Sequence, residues 1–181
     1  MGVYIPLSKN AIQEAKKLML SSINLLSPQN GRPAMMPHQE MVLGIYYLTK
    51  SRLHVLGHES YFGSFEEVLT AYECNGVHIH ANIHVLDKHG KLIDTTVGRV
   101  IFYHSLPKNY EFEKINRVFN KADLMKLVEE VYFSFGSEKT VIMLDKIKEL
   151  GFSYATKSGF TFAYDYLITP SNREAIINKA E

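Results

Sequence analysis

The sequence predicts an α+β fold in a single domain, 1–181, with mixed helices around a small antiparallel sheet or hairpin. Three observations carry that expectation. Two segments, "SFEEVLTAYECNG" and "NKADLMKLVEEVYFSFG", pair cap or turn residues with apolar side chains at three- and four-residue spacing. Between them, a run rich in β-branched residues breaks at "DKHG", the pattern of a hairpin. Finally, 181 residues with 46% apolar and 22% charged side chains suffice for one buried core and argue against disorder.

Taken in order, "VYIPL" (Val3 to Leu7) reads as a short strand ended by a proline. Ser8 or Asn10 then caps a helix, "NAIQEAKKLMLS", whose Ile12, Ala15, Leu18 and Met19 share one face opposite Lys16 and Lys17. Asn24 to Pro37 is a loop by its own chemistry, because Pro28, Asn30-Gly31, Pro33 and Pro37 interrupt any ladder. "QEMVLGIYYLT" is equally consistent with a short buried helix and with a strand. In the next segment Ser64 and Glu67 form a capping box, Phe65, Val68, Leu69 and Tyr72 form the apolar stripe, and Gly76 is expected to supply the left-handed stop. "VHIHANIHVLDKHGKLIDTTVGRVIFYHSLP" reads as two strands of an antiparallel hairpin ending at Pro107. Leu124, Leu127, Val128, Val131, Tyr132 and Phe135 recur at helical spacing up to Gly136. A further helix, "TVIMLDKIKELG", is expected to stop at Gly151, with Gly159 in a turn. The aromatics Phe160, Phe162, Tyr164 and Tyr166 alternate as in a half-buried strand. Ser171 and Glu174 open a last helix that the chain leaves unfinished, which suggests a piece of a longer polypeptide.

Composition excludes several classes. The lone cysteine, Cys74, has no intrachain partner and fits a reducing cytoplasm. No apolar run approaches the roughly 20 residues a membrane span needs. The net charge of +1 is far from the field of a free-standing nucleic-acid-binding module; the small basic excess lies in residues 1–60, with six Lys/Arg against three Asp/Glu.

Few residues offer chemistry. His78, His80 and His84 form His-x-His-x-x-x-His, and on a continuous strand all three would share a face open to zinc; a fourth ligand or an orienting carboxylate is not evident nearby. Alternation on a half-exposed hairpin explains the same three residues. Gln39 and Glu40, with His38, could form an acid/base group, although an acid at a helix N-terminus explains Glu40 as well. Lys121 and Lys126 read as solvated surface. Gly151 and Gly159 lack the spacing of a phosphate-binding loop. No complete active site is visible.

Several blocks in order, "MGVYIPLSKNAIQEAKKLMLSSINLLSPQNGRPAMMPHQEMVLGIYYLT", "NGVHIHANI", "DTTVGRVIF" and "KTVIMLDKIKELGFSYATKSG", give a resemblance over nearly the whole chain. They resemble the pore domain of the β′ subunit of bacterial-type DNA-directed RNA polymerase. The resemblance implies a segment that walls the secondary channel, by which nucleoside triphosphates reach the active site and the backtracked RNA 3′ end leaves. It implies that the three aspartates holding catalytic Mg2+ precede the equivalent of "MGVYIPLS", so that this segment binds no cofactor itself and is inert alone. By the same carry-over, Gln39 in "PHQE" and Lys121 in "FNKADL" would contact nucleotide or RNA, while Glu40 stands where an aspartate is usual. Implied partners are the other polymerase subunits, the remainder of β′, and DNA template, RNA and nucleoside triphosphates, with no membrane. A polymerase segment of this kind should expose apolar patches near its termini. The competing expectation is a stand-alone metal-binding enzyme built on His78, His80 and His84.

Overall fold

A computed structural model describes residues 2–88 and 90–180. Ser8 caps α1 (Lys9–Glu14), its hydroxyl accepting from the Ala11 N–H at 3.1 Å, and the helix loosens into a π-helical stretch over Ala15–Met19. None of its side chains is buried. The expected strand at Val3 to Leu7 is absent, and those residues run as exposed coil. The loop that follows is pinched by a bridge between Leu26 and Pro33.

Helix α2 (Glu40–Thr49) settles the ambiguous "QEMVLGIYYLT" run. It is the central element: Ile45 and Leu48 are fully buried, and it packs most extensively on α7 (Ser137–Ser158). The contact is backbone to backbone. A Cβ on Gly44 would stand 1.8 Å from the Gly151 carbonyl oxygen, and one on Gly151 would stand 2.7 Å from Met41 Cα. Gly151 therefore ends nothing. It is the crossing point of two helices, and α7 continues to Ser158, closed by Gly159 in the left-handed region at φ 59°.

Three strands form one mixed sheet in the order β1-β2-β3. β2 (Asn82–Leu86) and β3 (Leu92–Thr96) make the expected antiparallel hairpin, with Ile83 opposite Thr95 and Val85 opposite Ile93. His89, in the expected "DKHG" tip, lies outside the described residues. The unforeseen β1 (Ser60–Phe62) pairs in parallel with β2. The second half of the expected hairpin differs. Thr96 caps α4 (Val97–Tyr103) by accepting from the Arg99 N–H at 3.3 Å, and Val97, Gly98, Val100 and Phe102 are buried there. A short β-branched run fits a helix as well as a strand once a cap precedes it and a helix face awaits it. Gly98 permits that docking, since a Cβ there would lie 1.8 Å from the Leu48 carbonyl oxygen.

Helix α3 (Phe65–Glu73) follows its capping box: Ser64 accepts from the Glu67 N–H, and Glu67 returns a carboxylate to the Gly63 N–H at 2.6 Å. The left-handed residue at its end is Asn75 at φ 56°, not Gly76. Asn75 and Gly76 donate back to Tyr72 and Ala71, the two bonds of a Schellman ending. The short α5 (Phe112–Ile115) leads to α6 (Lys121–Phe135), which Gly136 closes as expected. Beyond Gly159 the aromatic alternation forms no strand. It holds a 3-10 turn at Tyr164–Tyr166 and leads to α8 (Arg173–Ala180), all exposed. Alternation gives a strand two faces but not the neighbour that its N–H and C=O groups require. One core cluster links α2, α3, the sheet, α4, α5, α6 and α7.

Candidate functional site

The three histidines do not converge. His78 and His80 precede β2, in a turn where Ala81 N–H donates to the His78 carbonyl, so strand alternation does not govern them. His80 is 5% exposed, and its Nδ1 lies 3.0 Å from the Lys50 carbonyl oxygen, which fixes the Nδ1–H tautomer because a carbonyl only accepts. Burial holds its pKa below the ordinary histidine value. His78 spends its own Nδ1 accepting the His80 N–H at 3.1 Å. His84 lies in the row Tyr61, His84, Asp94 across the sheet: its Nδ1 meets Asp94 Oδ1 at 2.5 Å, and its ring stacks on Tyr61. That carboxylate is the orienting partner the sequence did not reveal. Among the described residues no group of three or more His, Cys, Asp and Glu side chains could hold a metal ion, so these donors do not fit one.

Gln39 precedes α2 with φ 48° and ψ −115°, and the Met41 N–H donates to the His38 carbonyl at 3.1 Å. Those angles belong to the second residue of a type II′ turn, a place where glycine is favoured. Its exposed side chain makes no capping bond, and its carboxamide has no hydrogen-bond partner among the described residues. Glu40 is the acid of the first helical turn, the plain reading of that carboxylate.

Lys121 opens α6 just after Asn120, whose side chain caps the helix by accepting from the Asp123 N–H at 3.0 Å. It is exposed and makes no ion pair among the described residues; Asp123 is engaged by Arg117 at 3.4 Å. Gln39 and Lys121 are not brought together. Phe119 N–H donates to Thr49 Oγ1 at 3.0 Å, so Lys121 sits by the C-terminal end of α2 while Gln39 sits at its start. A helix of that length separates them by about 15 Å.

A polar junction at the C-terminal end of α2, which sequence reasoning missed, ties that end to α4 and to the residue closing α5. Arg99 donates through Nε to the Thr49 carbonyl and through Nη1 to Asn116 Oδ1, each at 3.1 Å. Asn116 also accepts from Thr95 Oγ1 at 2.8 Å and donates to the Asp94 carbonyl at 2.7 Å. Burial pulls the Arg99 pKa down, and the guanidinium stays charged. Arg99 stands in "DTTVGR", but no local spacing joins it to Thr49, 50 residues away.

Residues 24–165 match the family described as RNA polymerase Rpb1, domain 3. The chain belongs to this family. The matched range nearly coincides with the residues that build the core, from Leu25 to Tyr154. The whole chain is 44% identical to part of the DNA-directed RNA polymerase subunit beta' of Thermodesulfovibrio yellowstonii, covering 13% of that protein. It is 41% identical to those of Caldanaerobacter subterraneus subsp. tengcongensis and Desulforudis audaxviator, covering 17% and 16% of them. The chain thus corresponds to less than a fifth of the length of these curated relatives. Among its described residues no helix is long and apolar enough to cross a membrane.

Proposed function

We propose that this chain serves as a wall of the secondary channel in a DNA-directed RNA polymerase, within the β′ subunit. It buttresses the catalytic segment and lines the nucleotide path. The observation that carries the reading is the match along the full chain to β′ subunits. Gln39 adds support of a physical kind: on a strained backbone, its solvent-facing carboxamide has no partner among the described residues and is available to hydrogen-bond a nucleotide or an RNA end without the retention a fixed charge would impose. Lys121, which makes no ion pair among the described residues, supplies a cation that attracts phosphates. The residues that hold Mg2+ belong to other parts of the assembly, as do DNA, RNA and the remaining subunits that this segment serves. The isolated chain is inert.

The exposed apolar side chains at both ends fit a segment that packs against the rest of β′. Val3, Tyr4, Ile5 and Leu7 are 72–86% exposed, and Ile168 is 90% exposed. A chimeric β′ subunit of Thermodesulfovibrio yellowstonii carrying this chain in place of its own segment tests the proposal. It is expected to assemble and to synthesise RNA on a template, and Gln39→Ala with Lys121→Ala is expected to raise the KM for nucleoside triphosphates more than it lowers kcat. A chimera that fails to assemble, or an isolated chain that joins nucleotides unaided, would overturn it.

A further inference from the structure

Helix α7 carries two stripes. Thr140, Met143, Ile147, Gly151 and Tyr154 are buried in the core. On the open side Lys139, Ile142, Lys146, Glu149 and Ser153 recur at three- and four-residue intervals and are all exposed. This second stripe forms one wall of a groove. The loop after α4, from Ser105 to Asn109, forms the other, with Ile101 of α4 and Leu69 of α3 between them. Two adjoining hollows, about 420 and 440 Å³, share Ser105 and Lys146, so the groove is continuous.

Its chemistry is two-fold. The floor is apolar, with Leu69, Ile101 and Leu150, and Ile142 on the α7 wall adds an apolar side chain that remains 53% exposed. The lip is basic: Lys108, Lys139 and Lys146 stand against Glu149, and none of the three lysines makes an ion pair among the described residues. Lys139 rests over the Phe135 ring at 5.6 Å, which holds the cation at the groove's end. An apolar floor with an unpaired cationic lip is complementary to an amphipathic helix whose polar edge is acidic. A nucleic-acid strand fits less well, because its phosphates would leave the isoleucines and leucines uncovered and would face Glu149.

We infer that the groove between α7 and the loop after α4 is a docking site for an acidic amphipathic helix of a partner polypeptide. From Lys139 to Ser153 the stripe runs about 21 Å, so the occupant contributes about 14 residues. Its apolar side chains, at three- and four-residue spacing, fill the floor while Asp or Glu meets the three lysines.

A fluorescein-labelled peptide of about 14 residues, with leucines at that spacing and glutamates elsewhere, serves as the probe. Fluorescence anisotropy with the 181-residue chain is expected to show saturable micromolar binding that weakens with salt. Binding is expected to fall by about 10-fold in the double variant Lys139→Glu, Lys146→Glu, and to persist in Lys16→Glu, a charge reversal on α1. Circular dichroism melts of each variant establish that the fold is kept; if the double variant melts early, Ile142→Asp replaces it with the same expected loss. Equal binding of a scrambled peptide of identical composition, no effect of the groove substitutions in folded protein, or tighter binding of single-stranded DNA would each overturn the inference.

Discussion

Gln39 pairs an unfavourable backbone with an unused side chain. A non-glycine residue at φ 48° and ψ −115° costs on the order of 1–3 kcal/mol, and no side-chain bond among the described residues repays it, since the carboxamide caps no helix N–H. Glycine adopts those angles without strain but loses roughly 0.5–1 kcal/mol more conformational entropy on folding. The difference decides the sign: Gln39→Gly is expected to stabilise the fold by about 1 kcal/mol in urea denaturation. Unchanged or lower stability would mean that the turn is not strained. His80 carries the second residue-scale prediction. Its folded pKa lies below 6.5 because burial disfavours the imidazolium, so its neutral form stabilises the fold fully above the unfolded value. As pH falls from about 6.5 through the depressed folded value, the unfolded chain takes up a proton that the fold resists, and stability drops by at most about 1.4 kcal/mol per pH unit for each such imidazole. His104, also held down by burial, adds to the slope. His80→Gln removes one titration while leaving a donor for the Lys50 carbonyl. Denaturant midpoints measured between pH 7 and pH 5.5 are therefore expected to change less steeply in that variant.

At the scale of elements, the decisive contacts are glycine contacts. Alanine at Gly44 or Gly151 would gain about 1 kcal/mol of helix propensity, yet its Cβ would strike backbone of the facing helix rather than a side chain able to turn aside. Overpacking costs about 1–3 kcal/mol even when neighbours can shift, so the clash wins. Gly44→Ala, at 1.8 Å from the Gly151 carbonyl oxygen, is expected to be the more damaging of the two, and a stabilising result in urea titration would show that α2 and α7 do not cross there. This contact also explains where the sequence was legible. Caps and periodicity located α3 and α6 because Ser64 and Gly136 act within their own few residues. Gly151 was misread as a stop because its partner is Met41, more than a hundred residues earlier, and "VGRVIFY" was misread as a strand because the helix face receiving it lies on α2. The same limit applies to the candidate site. Gln39 and Lys121 were reached through resemblance, whereas the Arg99 and Asn116 junction at the C-terminal end of α2 rests on contacts 17 and 50 residues apart.

The whole molecule divides by burial. Residues 2–24 and 159–180 contain no buried side chain, while Leu25 to Tyr154 contain every buried hydrophobic residue. The termini nevertheless carry Tyr4, Ile5, Leu18, Met19, Phe160, Phe162, Tyr164 and Ile168 in the open, bearing out the apolar patches expected near the ends. Hydrophobic surface stabilises only where it is covered, so these segments contribute little to the stability of the free chain and open at low cost. Limited proteolysis is expected to trim both ends quickly and leave a resistant fragment running from near Leu25 to near Ser158. The shortened chain should unfold within about 0.5 kcal/mol of the full one, because no core contact is lost. Its binding of a hydrophobic dye should fall, since the exposed aromatics leave with the ends. A large loss of stability on trimming would mean that the terminal segments do pack on the core. In the chimeric polymerase the same bonds are expected to resist cleavage, because the proposed assembly covers what the free chain leaves exposed. Protection there, with cleavage in the free chain, would separate a missing neighbour from intrinsic disorder.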